Sequence, residues 1–396
     1  MTDKTQHTNG VDIDFADIRP YDDHEFRDKI AHLVREPGFE HAVRYVMPDV
    51  DYEAFVASLL QVQTQMDFQY EVMGPFLELL VARTTAGLSL SGVENLTSSQ
   101  AYTFITNHRD IVLDASFLNL CFIRRRLPLT QVAIGNNLLI YDWITDLVKL
   151  NRSFIVKRDV GVRQALEAAR QLSGYIRHTI RDLGESVWIA QREGRAKDSN
   201  DRTQDALVKM LSLAGEGDAR QNLSEINILP VAISYEYDPN DFLKVREFLL
   251  RRRDPDFRKS QRDDLFSMET GLLGQKGRVH FHLGHCISRE IPADCESRTE
   301  TVRAVCELID RNIHCGYRIF PCNYIAFDRL EGTDEYSGFY TAADVEAFNA
   351  YVDSRLALVN VPDITDEERQ FMLHTMLTMY ANPLRNQRLA KDCPNL

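Results

Sequence analysis

Between Asp14 and Leu88, apolar residues recur at helical spacing. Phe55, Leu59, Leu60 and Val62 form one stripe, and Phe76, Leu77, Leu79, Leu80 and Val81 form another. Pro48, Gly74 and Pro75 mark the expected breaks. The chain therefore opens with three or four helices, preceded by ten polar residues that read as a loose tail.

The texture changes near Ser98. Short apolar runs follow at Ala101–Thr106, Ala133–Ile134, Ser153–Val156, Ser186–Ala190, Ile226–Tyr235 and Val279–His282. The run INILPVAISY is almost continuously apolar, which suits a strand covered on both faces. Pro230 inside it is compatible with an edge, a bulge or a strand start. Helical stretches lie between the runs. The clearest is Val162–Asp182, with Leu166, Ala169, Leu172 and Ile176 on one face. Alternating strand and helix predicts an α/β fold, a mostly parallel mixed sheet flanked by helices. Ser199–Arg220 reads as an exposed excursion. From Ala343 the period is helical again, in AADVEAFNAYVDSRLALV and TDEERQFMLHTMLTMYA. Thr365 and Glu368 have capping-box spacing. Three regions result: an N-terminal helical region (1–95), an α/β domain (96–335) and a C-terminal helical extension (336–396).

Composition narrows the function classes. The chain has 396 residues, 44% hydrophobic and 27% charged, as an ordinary globular protein does. Its formal charge is 46 − 59 = −13, against a general nucleic-acid binder. No run of 18 residues is free of charge, which argues against a spanning helix, and the N-terminus lacks an apolar signal core. Seven cysteines without a CxxC pair fit a reduced, cytoplasmic protein.

Four segments of the α/β region could carry chemistry. In Asn107–Asp114, a strand end is followed at once by His108, with Asp114 six positions on. A helix starting just after His108 would let Asp114 accept a hydrogen bond from one imidazole nitrogen and leave the other as a base. A surface turn with a capping aspartate is the plainer alternative. Ser153–Asp159 ends a strand in Lys157 and Arg158, a rigid mount for phosphate recognition or a solvated strand end. In Trp188–Lys197, Gly194 permits close backbone approach, Arg195 and Lys197 could hold an anion, and Glu193 could fix an arginine or a hydroxyl. The fourth segment is Ile228–Glu236.

In their order and spacing the four together resemble the blocks of the glycerolipid acyltransferases, the HxxxxD family that acylates glycerol 3-phosphate or lysophosphatidate. The family's first block, a strand followed by NHxxxxD, is similar to Asn107–Asp114, with His108 and Asp114 as its histidine and aspartate. Its second, FFIRR, is similar to Phe154–Arg158, with Lys157 in place of the first arginine. Its third, FPEGTRS, is similar to Gln191–Lys197, although no proline precedes Glu193 and no serine or threonine follows Arg195. Its fourth, LVPVYIGYE, is similar to Ile228–Glu236. The resemblance covers about residues 95–290.

The resemblance implies O-acyl transfer from acyl-CoA or acyl-carrier protein to glycerol 3-phosphate or 1-acylglycerol 3-phosphate, in phospholipid synthesis. His108 would be the general base and Asp114 its partner, with no covalent acyl-enzyme and no tightly bound cofactor. Lys157, Arg158, Glu193, Gly194, Arg195 and Lys197 would form the acceptor site. An apolar groove between the sheet and the N-terminal helices would take the acyl chain. The basic runs Arg124–Arg126 and Arg251–Arg253 suggest peripheral contact with an anionic inner membrane face. The altered third block leaves room for another lipid alcohol, such as an amino-acid lipid, and a silent lipid- or carrier-binding protein is a further alternative. The rival chemistry is His280-Phe-His282-Leu-Gly-His285, which is similar to the HxHxDH motif of binuclear metallohydrolases but has Gly284 where that motif has aspartate. Cys286, His314 and Cys315 would be its possible extensions, and no metal is expected. Trp143, Trp188 and the methionines at 372, 376 and 379 read as core.

Overall fold

The computed structural model describes residues 6–8, 11–158 and 160–392. Asp159 of the second block and residues 1–5 and 9–10 of the expected tail lie outside them. From that tail, β1 (Gln6–Thr8) pairs antiparallel with β2 (Val11–Ile13), which follows it.

The main sheet contains β3 (Leu88–Ser91), β4 (Thr103–Thr106), β5 (Thr130–Gly135), β6 (Ser153–Val156), β7 (Ser186–Ala190), β8 (Ile228–Tyr235) and β9 (Val279–Leu283). Their order across it is β3-β9-β8-β4-β7-β5-β6. Five strands run parallel, and β9, with β3 parallel to it, runs antiparallel to β8. This is the expected mostly parallel mixed sheet flanked by helices, with helices also forming the C-terminal region. β3 is additional: LSLS falls in the stretch read as helical, and its pairing partner lies far away in the chain.

Pro230 is the third residue of an interior strand, not at an edge. Its carbonyl accepts from Gly284, and the pairing of β8 with β9 begins only at Val231. The missing N–H thus falls where β9 leaves the sheet.

Both sheet faces are covered. Phe104, Trp188, Val231 and Phe281 pack with helices Gly74–Thr84 and Leu113–Arg125. Ile105, Val187, Ile228 and Ala232 pack with helices Val162–Arg181 and Arg298–Cys315. In Val162–Arg181 the buried positions are Leu172, Tyr175, Ile176 and Ile180, while Leu166 is half exposed. The helix outruns the core at its start. Ser199–Arg220 is no exposed excursion, because Asp201, Val208 and Leu211 are fully buried.

Gly74 and Pro75 do not break the N-terminal helices. A π-helical turn, Phe68–Met73, leads straight into Gly74–Thr84, and the Gly74 N–H bonds five residues back to Gln69. A widened turn accommodates a proline that cannot donate to the residue four before it. At the other end of the chain, helices Ala342–Ala357 and Asp366–Asp392 pack with Pro321–Glu331 and Asp241–Arg253. The capping box at Thr365 is formed, with the Glu368 N–H donating to Thr365 Oγ1 at 3.2 Å and the Thr365 N–H to Glu368 Oε2 at 2.9 Å.

Candidate active site

β4 pairs with β7 and β8 as far as Thr106. The next side chain extends the ladder. Asn107 Nδ2 donates to the Ile233 carbonyl at 2.9 Å, and the Ile233 N–H donates to Asn107 Oδ1 at 2.8 Å. With β8 satisfied by a side chain, the backbone is free to turn, and the turn presents His108.

The turn is held by two aspartates. Asp110 Oδ1 accepts from the N–H groups of Val112 (2.9 Å) and Leu113 (2.8 Å), which caps the helix Leu113–Arg125. In the first turn of that helix, Asp114 Oδ2 meets His108 Nδ1 at 2.8 Å and accepts the Arg109 N–H at 2.6 Å. Asp114 is 1% exposed, so its carboxylate fixes the imidazole from inside the protein. His108 Nε2 takes no partner among the described residues. The Trp188 ring lies edge-on to the imidazole, centroids 6.0 Å apart.

Five residues separate His108 from Asp114, one more than HxxxxD contains. The motif in its strict form is absent. The turn absorbs the extra residue, and the two side chains still meet.

The other predicted site residues are dispersed. Arg158 and Glu193 come together across the end of the sheet, Nη1 to Oε1 3.4 Å. Gly194 has φ +66° and no heavy atom within 4 Å of an added Cβ, so its glycine serves the turn and not a close contact. Arg195 is buried, and its Nη1 has no hydrogen-bond partner. Its charge acts on Asp110, which places it beside the His108 turn. Lys157 turns away to Asp17 and Gln171. Lys197 pairs with Glu247 at 2.9 Å. Burial, followed by the nearby Lys259 charge, pushes the Lys197 pKa down to about 7 in spite of Glu247.

Around the turn lie groups that the sequence did not disclose. The Arg109 guanidinium grips Asp201 at 2.7 and 3.3 Å, both fully buried, and the Tyr317 hydroxyl donates to the same carboxylate at 2.5 Å. Burial works to lower the Arg109 pKa, but Asp201, Tyr317, Asp238 and Asp114 together outweigh it and raise the pKa. Lys244, fully buried, is tied to Asp238. Lys276 donates to the Leu272 and Gly274 carbonyls and so holds the end of helix Gln261–Leu273. Burial lowers its pKa to about 8 against the pull of Asp110 and Asp238. At Gly271 in that helix, a Cβ would stand 2.1 Å from Asp110 Oδ2, so only glycine lets the helix close over the turn. Asp201 carries no local motif that could have flagged it; Arg109 sits in the first block but its partner lies 92 residues away.

Beside the turn opens a cavity of about 450 Å³, within the usual range for small-molecule sites. Ile111–Leu113, Ala115, Ser116 and Trp188 wall it on the His108 side. Phe39, Val43 and Phe68 wall it from the N-terminal helices, and Leu265 and Leu272 from Gln261–Leu273. Trp143, read as core, is one of its lining residues.

The histidine run does something else. His280 Nδ1 meets Ser89 Oγ at 2.8 Å, its Nε2 meets Ser91 Oγ at 2.9 Å, and His282 Nδ1 shares Ser91 at 2.8 Å. The imidazoles stitch β9 to β3, while His314 bonds the Asp201 carbonyl and His285 pairs with Glu290. Among the described residues, the side chains spaced to share an ion are Asp22, His24 and Glu25, away from this run. The basic runs are partly engaged: Arg124 binds Glu78, Arg252 and Arg253 bind Glu367 and Glu368, and Arg251 binds Glu247, while Arg125 and Arg126 are exposed. Among the described residues no helix is long and apolar enough to cross a membrane.

No family model and no curated protein matches the chain. Among solved structures it is similar to the 1-acyl-sn-glycerophosphate (LPA) acyltransferase PlsC from Thermotoga maritima, at 12% identity and a TM-score of 0.37, over 74% of this chain and 94% of that one. A likeness this distant assigns no residue, and the chemistry must be argued from the site itself.

Proposed function

We propose that this protein is an O-acyltransferase that moves a fatty acyl group from a thioester, acyl-CoA or acyl-carrier protein, to a glycerol-phosphate acceptor. The observation that carries the reading is the junction of two features: a carboxylate-oriented histidine at a parallel strand's end, and an apolar cavity walled by Ile111–Leu113, which begin three residues after that histidine. A base without the cavity would suit many reactions, and a cavity without the base would suit a carrier.

In this reading the acyl chain lies among Phe39, Val43 and Phe68, with the thioester at the Ile111–Leu113 rim. His108 Nε2 takes the acceptor hydroxyl's proton while the oxygen attacks the thioester carbonyl. Asp114 stabilises the imidazolium that forms. The tetrahedral adduct expels the thiolate, which takes the proton back from His108. Arg195, with a buried guanidinium N–H unpaired, is the first candidate for the acceptor's phosphate. Arg158 is the second, since Glu193 holds it only at 3.4 Å.

The test is transfer of a labelled long-chain acyl thioester to glycerol 3-phosphate, lysophosphatidate and an amino-acid lipid, with wild type and His108→Ala compared. Transfer to a phosphate-bearing acceptor that His108→Ala abolishes supports the reading. Transfer to the amino-acid lipid alone corrects the acceptor, and thioester binding without any transfer replaces it with a carrier role.

A further inference from the structure

One cluster of charges near the turn has no part in the steps proposed above, although the resemblance implied an acceptor role for its Lys197. Glu247, on the helix Asp241–Arg253, is 4% exposed. Lys197 and Lys259 reach its Oε2 at 2.9 and 3.1 Å, and Arg251 reaches its Oε1 at 2.9 Å. Lys259 also lies 3.9 Å from Asp264. Three cations thus meet two carboxylates and one positive charge is unmatched, in a chain whose formal charge is −13. Glu247 is the carboxylate that all three share. Its pKa is lowered because these lysines outweigh burial, and Lys197 is held down by a neighbour's positive charge as well as by burial. Both lysines keep partly exposed side chains, and Arg251 is 54% exposed. The cluster is open to solvent and short of negative charge.

Its place in the chain gives it a direction. Lys197 lies two residues after Arg195, whose charge acts on Asp110 in the His108 turn. Lys259 immediately precedes helix Gln261–Leu273, whose Leu265, Met268 and Leu272 line the apolar cavity. The cluster is thus linked to the catalytic turn through Arg195, whose charge acts on both Lys197 and Asp110, and to the cavity wall through one helix. A molecule with an apolar tail, a reactive carbonyl and a phosphate at its far end would meet all three.

We propose that Lys197, Lys259 and Arg251, gathered on Glu247, bind a phosphate of the thioester donor's pantetheine arm. The proposal rests on the acyl-transfer reading for its ligand. Its geometry is that of a cationic seat with one carboxylate too few. A phosphate is the matching group because it accepts from several cations at once. Such a phosphate exists in coenzyme A and in the phosphopantetheine of a carrier protein.

The experiment is calorimetric titration of the full-length chain with coenzyme A, 3′,5′-ADP and phosphopantetheine-loaded carrier protein, run without acceptor so that binding is read apart from turnover. Binding of at least one ligand is expected, weakened roughly tenfold in Lys259→Ala and in Arg251→Ala and further at high salt, as for the loss of one charge-assisted contact. Glu247→Gln, which removes the competing carboxylate, should bind more tightly if it folds. The exposed Arg251 site keeps the test valid if it does not. Carrier binding that both cation variants weaken supports the pantetheine phosphate, whereas 3′,5′-ADP binding that tracks coenzyme A moves the contact to the nucleotide phosphates and overturns that assignment. In steady-state transfer, the KM for the donor should rise in Lys259→Ala with the acceptor's KM unchanged. Affinity unchanged in both cation variants overturns the proposal, as does absence of binding to all three ligands or a rise in the acceptor's KM instead. Binding that depends on these cations, in a protein that transfers no acyl group, keeps the site and rejects the acyl-transfer reading.

Discussion

Two regions meet at the His108 turn and are built on opposite plans. Residues Ile111–Ser116 face an apolar cavity of about 450 Å³. Arg109, one residue past the histidine, faces a polar pocket of only about 30 Å³ bounded by Tyr235, Asp238 and Tyr317. The first region keeps room and has few polar groups to satisfy. The second is filled by the Arg109–Asp201–Tyr317 network and the Lys244–Asp238 pair. The contrast separates two needs of one catalytic loop. A ligand can enter apolar space without stranding a buried charge, whereas stiffness comes from charges that leave no space.

The largest change should come from removing the residue both regions share. His108→Ala should lower acyl transfer by about 10²–10⁴-fold, the usual contribution of a general base, with its denaturation midpoint close to wild type. A loss of transfer matched by a loss of folding would locate the histidine in the scaffold instead.

Breaking the polar side is the next largest effect. Asp201→Ala leaves Arg109 buried without its carboxylate and should cost about 3–5 kcal/mol in urea denaturation. A cost under about 1 kcal/mol would mean that the network is dispensable.

A third change is set by pH. Burial, with Arg318 and His282 adding to it, lowers the His280 pKa from 6.5 to about 4. The folded protein thus keeps this imidazole neutral where the unfolded chain takes up a proton. The stability it contributes is present above pH 6.5 and is lost as pH falls from there to about 4, by up to about 3 kcal/mol. His280→Asn should flatten the stability profile in that window and leave it unchanged at pH 8, apart from a constant offset.

The smallest effect on stability should come from the apolar side. Ala42→Phe places a ring in the cavity, where space already exists, and should change stability by less than about 1 kcal/mol. It should shift donor preference toward shorter acyl chains. An unchanged chain-length profile would place the acyl chain elsewhere.

How far the sequence discloses this arrangement depends on the reach of each interaction. β6 and β7 are legible to the residue because each is an apolar run between polar ends. The His108–Asp114 pair is legible because one turn holds both partners. β3 is not, since LSLS has neither the length nor the aromatic content of a strand signal and gains its place from β9. Lys157 and Lys197 look alike in the sequence as cations that follow an apolar strand. Asp17 and Gln171 claim the first and Glu247 the second, and no local pattern announces those partners. The cavity is foreseen only through the resemblance, as an apolar groove between the sheet and the N-terminal helices; no local pattern marks it, because five or more separate segments must assemble before it exists.

The pairing of β3 with β9 has a consequence for the birth of the protein. Ser89 and His280 are 191 positions apart. At about 5–20 residues per second, a ribosome needs roughly 10–40 s to pass from one to the other. For that time the N-terminal helices wait beside an unpaired strand, with Phe39, Val43 and Phe68 lacking the cavity's opposite wall. Helix Gln261–Leu273 emerges only just before β9. The greasy lining thus stays open until about two-thirds of the 396 residues have been made, so a nascent chain stalled before residue 261 should be a preferred client of a holdase.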